Sequence, residues 1–218
     1  MHEKFNASAV IFDLDGTLVD TAPDLTLALN HVLIKAGRDA VQGAAVRCMV
    51  GHGARALIVK GLEDTGGLLD DAEIDAMFED FIEFYGANIA VGSRPFPGAV
   101  DYLARLQAAG IKLGLCTNKP QDLTEALTGA LDLTRYFDVI AGGDRFAARK
   151  PDPLHVTGTL DLLGAAANET LFIGDSETDL KAARAAGVPI ALVTFGYSRD
   201  PVESLSPDAV IESYEDLT

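Results

Sequence analysis

The sequence has little cysteine: Cys48 and Cys116 are the only two thiols among 218 residues. Two thiols cannot build a disulfide framework, and neither sits in a CxxC or Cys/His cluster of the kind that holds zinc. Long apolar runs are also missing. Nothing approaches the roughly 20 apolar residues that a membrane span needs. The run Ala9-Val10-Ile11-Phe12 stops at Asp13, too soon for a secretory signal. These absences predict a cytoplasmic protein in a reducing compartment. Basic residues are scarce as well: 17 Lys and Arg against 33 Asp and Glu leave a net charge of -16. Such a surface repels nucleic acid and anionic membrane, so neither is expected as a partner.

What is present is an ordinary globular balance, 48% hydrophobic and 23% charged. The length suits one domain with a sizeable insertion. Residues 8–13 read as a buried strand. Helices are expected at 24–35, 53–62 and 71–90, with no strand between 20 and 90. The texture changes at Arg94-Pro95-Phe96-Pro97-Gly98, which reads as a linker. Beyond it, strands (111–116, 137–142, 170–175, 189–195, 208–211) alternate with helices (98–109, after Pro120, 153–163, 177–186). That alternation predicts an α/β fold with a parallel sheet. The economical arrangement is core at 1–19, an all-helical insertion at 20–92, and core again at 93–218.

Ligands of open α/β sheets bind beyond the carboxyl ends of the strands. The first strand delivers Asp13-Leu14-Asp15-Gly16-Thr17 there, and the next delivers Thr117-Asn118-Lys119. Lys150 follows the third strand, and Asp175 with Asp179 follows the fourth. Two carboxylates 4 Å apart repel by about 4 kcal/mol at an effective dielectric of 20. Asp13, Asp15 and Asp175 therefore need positive charge among them. A hard divalent cation, Mg2+, fits oxygen ligands and keeps positions open for phosphate oxygens, and Lys150 adds a further charge. Asp13 and Asp15 project the same way from an extended strand end. One carboxylate can attack phosphorus while the other moves protons. The Thr117 hydroxyl, the backbone near Gly16, and Asn118 are candidate contacts for the substrate phosphate.

The stretches DLDGTLVD (13–20), CTNK (116–119), RKPDP (149–153) and GDSETD (174–179) resemble, in order, the four motifs of the haloacid dehalogenase superfamily. The resemblance implies a Rossmann-like core with a helical cap inserted after the first motif. It implies Asp13 as nucleophile, Asp15 as general acid and base, Thr117 on phosphate, and Lys150 steadying both nucleophile and phosphate. It also implies magnesium held by Asp13, the Asp15 carbonyl and Asp175, with Asp179 in support. VGHGARALI (50–58), RPFPGAVDYLARL (94–106) and VTFGYS (193–198) look most like the phosphoglycolate phosphatase branch. The implied activity is hydrolysis of a small phosphomonoester, 2-phosphoglycolate first. A sugar phosphate, a nucleotide or a phosphomutase reaction is the alternative within the family, and a receiver-like phospho-acceptor or a binding protein lies outside it. A monomer or homodimer is expected.

The segment 51–56 formally matches the dinucleotide pattern GxGxxA, but no strand precedes it, as that reading requires. In the inserted block the same loop would face the substrate, with His52 or Arg55 touching a substrate carboxylate. Arg94 and Lys119 are expected to join Arg55 in a positive mouth on the negative body. His2, His31 and His155 have no companions at ligand spacing and read as structural or exposed.

Overall fold

The computed structural model describes residues 5–47, 49–50 and 53–217. A six-stranded parallel sheet forms from β1 (Ala9–Phe12), β4 (Lys112–Cys116), β5 (Val139–Ala141), β6 (Thr170–Gly174), β7 (Ile190–Val193) and β8 (Ala209–Ile211). Its order is β5-β4-β1-β6-β7-β8. The chain builds outward on one side of β1, then returns to build the other side. The topology therefore reverses at β1, and the crevice of the sheet opens there. All four β1 residues are buried, as a strand covered on both faces requires. Val10 and Phe12 join a cluster with Tyr102, Leu103 and Leu127 of α5 (Ala99–Ala108) and α6 (Gln121–Ala130). Ile11 points the other way, into a cluster with Val156, Leu160 and Leu180 of α7 (Pro153–Leu163) and α8 (Glu177–Ala185).

Between β1 and α5 lie four helices, α1 (Ala22–Lys35), α2 (Gly43–Arg47), α3 (Ala54–Thr65) and α4 (Asp71–Ala87). They pack around an apolar cluster of their own, which includes Leu29, Leu33, Ile58, Leu62 and Phe81. Helix α4 starts at a capping box, in which Asp70 accepts from the Glu73 backbone and Glu73 reaches back to Asp70. No helix of the described residues is long and apolar enough to cross a membrane.

The parallel sheet and the helical block agree with the expected fold. Two local features depart from it. Helix α2 occupies a stretch to which the sequence assigned no element. β2 (Val19–Asp20) and β3 (Arg94–Pro95) pair antiparallel, where a linker was expected. This pair ties together the chain's exit from the sheet and its return. Asp24, buried at the start of α1, strengthens the tie by accepting from Gly92 N, Ser93 N and Ser93 Oγ at 2.6–2.8 Å.

Candidate active site

Register sets the site. Phe12 pairs with both Leu115 and Ile173, so Asp13 ends its strand level with Cys116 and Gly174. Thr117 and Asp175 follow one step later on either side. Past Asp13 the chain reverses tightly, with Leu14 O accepting from Leu18 N and Val19 N, both at 3.0 Å. Gly16 has φ +86°, and a Cβ there would meet Asp175 Oδ2 at 2.5 Å. Only glycine permits both that conformation and that approach. Beyond β6, Ser176 caps α8 in a box with Asp179.

Two buried ammonium groups organise the acids. Lys150 Nζ lies 2.9 Å from Asp13 Oδ1 and 2.6 Å from Asp179 Oδ1. Burial works to lower the Lys150 ammonium, but Asp13 and Asp179 outweigh it and hold its pKa above the usual lysine value. The second ammonium, Lys119, lies 3.2 Å from Asp15 Oδ1 and donates to the Tyr85 hydroxyl of α4 at 2.8 Å. Burial opposes its charge too, and Asp15 with Tyr85 more than offsets that. Burial pushes Asp13 up to about 6 despite Lys150. Burial, then Asp179 and Asp13, raise Asp175 well above the usual carboxylate range.

These groups open onto a cavity of about 320 Å³. Asp13, Asp15, Thr117 and Lys150 line its sheet side, and Leu57, Phe78, Phe81 and Ile82 line its helical side. The oxygens of Asp13, Asp175 and Asp179 fall within 4.8 Å of one another. Asp13 Oδ1 is buried and, although close to Lys150, has no donor aligned on it for a hydrogen bond. Both Asp179 oxygens are already engaged, by Lys150 and by Ser176. Asp13 keeps an oxygen with no aligned donor, and Asp175, held by neutral donors, has no ion pair among the described residues, so these two are the side chains best placed to bind a hard cation directly, and burial is the main cause of their raised pKa values.

The predicted residues are placed as follows. Asp13, Asp15, Thr117, Asn118, Lys150 and Asp179 all line the cavity. Asn118 Nδ2 donates to Lys150 O at 2.9 Å, joining two of the motifs. Asp175 lies behind Asp13, held by Tyr197 N at 2.6 Å and Thr17 Oγ1 at 3.3 Å. The Gly16 N–H is donated to Val19 O at 2.9 Å, so it is not aimed at a phosphate. Arg55 lines the cavity but is ion-paired with Asp71 and Asp75. Arg94 is not at the mouth: it donates to the carbonyls of Ala90, Val91 and Ser93. His52 lies outside the described residues. His155 is fully buried, and burial with Lys150 nearby lowers it to about 4, a neutral structural histidine as expected.

Sequence reading missed Tyr197 and Tyr85. The Tyr197 hydroxyl accepts from Thr21 N at 2.7 Å and Ala22 N at 2.9 Å, and donates to Asp20 Oδ1 at 2.8 Å. It thus caps α1 from across the sheet layer, while its own N–H holds Asp175. Asp20 in turn pairs with Arg47 of α2. The aromatic in VTFGYS was the available signal, but its partner, Asp20, is 177 positions away.

The sequence model of the haloacid dehalogenase-like hydrolases matches residues 10–193. A phosphoglycolate phosphatase of Mesorhizobium japonicum is 46% identical over 209 residues, covering 96% of this chain and 92% of that protein. One of Caulobacter vibrioides is 45% identical over 212 residues, covering 97% and 90%. The crystal structure of a predicted phosphoglycolate phosphatase from Haemophilus somnus superposes with a TM-score of 0.92 at 28% identity, covering 97% of this chain and 96% of that one.

Proposed function

The chain belongs to the haloacid dehalogenase-like hydrolases, and from that premise we propose that it hydrolyses 2-phosphoglycolate to glycolate and phosphate through an aspartyl-phosphate. The observation that carries the mechanism is the pair Asp13 and Asp15 on one cavity wall, each facing its own buried lysine. The relatives' shared activity supports the choice of substrate.

In this reading an Asp13 oxygen attacks phosphorus and the ester P–O bond breaks. Asp15 gives its proton to the departing glycolate oxygen. Asp15 then takes a proton from water as that water attacks phosphorus, and the Asp13–phosphorus bond breaks to release phosphate. Lys150 holds Asp13 in place and faces the charge that gathers on the phosphoryl oxygens. Thr117 supplies a hydroxyl at the same wall. Magnesium, held by Asp13 and Asp175 with the Asp15 carbonyl, would neutralise phosphoryl charge. The block 20–92 acts as a cap that keeps bulk water from the reacting atoms. The reading places the enzyme in the cytoplasm as a monomer or homodimer.

The test is phosphate release from a panel of esters with and without magnesium. A kcat/KM for 2-phosphoglycolate well above that for sugar phosphates and nucleotides, lost on chelation, is expected. Preference for another ester overturns the substrate, and release from none overturns the activity.

A further inference from the structure

The proposed substrate carries close to two negative charges on its phosphoryl group and a third on its carboxylate. That third charge needs a partner close to the phosphate site, because only one methylene separates the ester oxygen from the carboxylate. Four cationic side chains line the cavity: Arg55, Lys119, Arg149 and Lys150. Three are committed to acids of the protein. Lys150 faces Asp13 and Asp179, Lys119 faces Asp15, and Arg55 faces Asp71 and Asp75.

Among the described residues, Arg149 is the cavity cation with no ion pair to an acid. It precedes Lys150 in the chain, so it sits one residue from the ammonium that meets Asp13. Its guanidinium lies over Gly53, at the start of α3. A Cβ on Gly53 would come within 3.3 Å of Nη1 and 3.5 Å of Nη2. The bare backbone of Gly53 therefore makes the space in which the guanidinium rests, at the boundary between the sheet crevice and the helical block.

We propose that Arg149 determines specificity by pairing with the carboxylate of the substrate. The proposal rests on 2-phosphoglycolate being that substrate. A planar guanidinium matches a carboxylate with two parallel hydrogen bonds, which a lysine ammonium cannot reproduce. Arg149 thus separates carboxylated esters from neutral ones, while Lys150 and Asp13 deal with the phosphoryl group common to both.

The experiment compares 2-phosphoglycolate with ethyl phosphate, in which a methyl replaces the carboxylate. The readout is the ratio of the two kcat/KM values in wild type, R149M and R149K. In R149M the ratio falls roughly 10- to 150-fold, the range for losing hydrogen bonds to a charged group, and the fall resides in KM for 2-phosphoglycolate. R149K recovers part of it. A wild-type ratio retained in R149M, or parallel losses on both esters, overturns the role of Arg149 and leaves the substrate standing. A wild-type enzyme that does not prefer 2-phosphoglycolate overturns both.

Discussion

Replacing Lys150 by methionine removes one charge from beside a cluster of buried carboxylates and keeps a side chain of similar length. Lys150 is 3% exposed, and its ammonium lies 2.9 Å from Asp13 and 2.6 Å from Asp179. Removing one partner of a buried ion pair costs about 3–5 kcal/mol, because the remaining charges stay buried and uncompensated. Here three carboxylates would be left within 4.8 Å of one another. They can relieve the strain only by taking up protons. Asp13 already titrates near 6, since burial raises it even with Lys150 in place. Without Lys150 it rises further. A carboxylate raised in the folded state makes the native protein bind more protons than the unfolded chain, so stability falls as pH rises through that interval. The loss in Lys150→Met is therefore greatest above the folded Asp13 value and shrinks toward pH 5. Urea unfolding followed by circular dichroism, in metal-free buffer at about pH 5.5 and pH 7.5, measures it. At pH 7.5 the variant should lose about 3–5 kcal/mol, roughly 6–20 °C in Tm for a chain of this size. Saturating magnesium should recover part of that loss. A loss under about 1 kcal/mol at pH 7.5, the value of an exposed pair, or a larger loss at pH 5.5, would refute the electrostatic reasoning.

Asp15→Asn should slow turnover of 2-phosphoglycolate by about 10²- to 10⁴-fold, the usual worth of a general acid and base, and steady-state kinetics with wild-type kcat would contradict that role. Burial holds both Asp13 and Asp175 above the usual carboxylate range, so a bound cation must displace protons. Magnesium affinity measured by calorimetry should rise from about pH 5.5 to 7.5 with proton release, and a flat profile would count against those acids as ligands. Tyr197→Phe removes the acceptor for Thr21 N and Ala22 N and the donor to Asp20. It should cost about 1–3 kcal/mol in urea unfolding, as losing a helix cap and leaving buried donors unpaired does. A change within 0.3 kcal/mol, roughly the scatter of a neutral surface substitution, would show that the cap is not held there.

The sheet was legible because its strands are short apolar runs separated by turn residues, and because β1, β4 and β6 carry polar chemistry just past their ends. Asp13, Thr117, Lys150 and Asp179 meet at one cavity since β1, β4 and β6 are in near-flush register, and runs of similar length made that arrangement readable. The pair β2–β3 was not legible: two residues per strand are too few to show a period. Helix α2, five residues long, fails the same way. Arg55 was expected to face substrate, but Asp71 and Asp75, 16 and 20 positions on, take its charge. Arg94 was expected at the mouth, but the carbonyls that end the helical block hold it. The Arg55 pairing involves partners 16 and 20 positions away, which no local pattern records, whereas Arg94 is held by backbone carbonyls one to four positions before it, which charge patterning does not register. The links from Tyr85 to Lys119 and from Tyr197 to Asp20 are products of tertiary packing, invisible until the helices are laid over the sheet.

The account's central claim is that Asp13 becomes phosphorylated in the course of turnover. Acid quenching of wild-type enzyme turning over 2-phosphoglycolate with magnesium, followed by peptide mass spectrometry, tests it directly. The account predicts a phosphoryl group on Asp13, absent from Asp13→Asn, which should not turn over. A phosphoryl group on another residue, or wild-type-like turnover by Asp13→Asn, would contradict it.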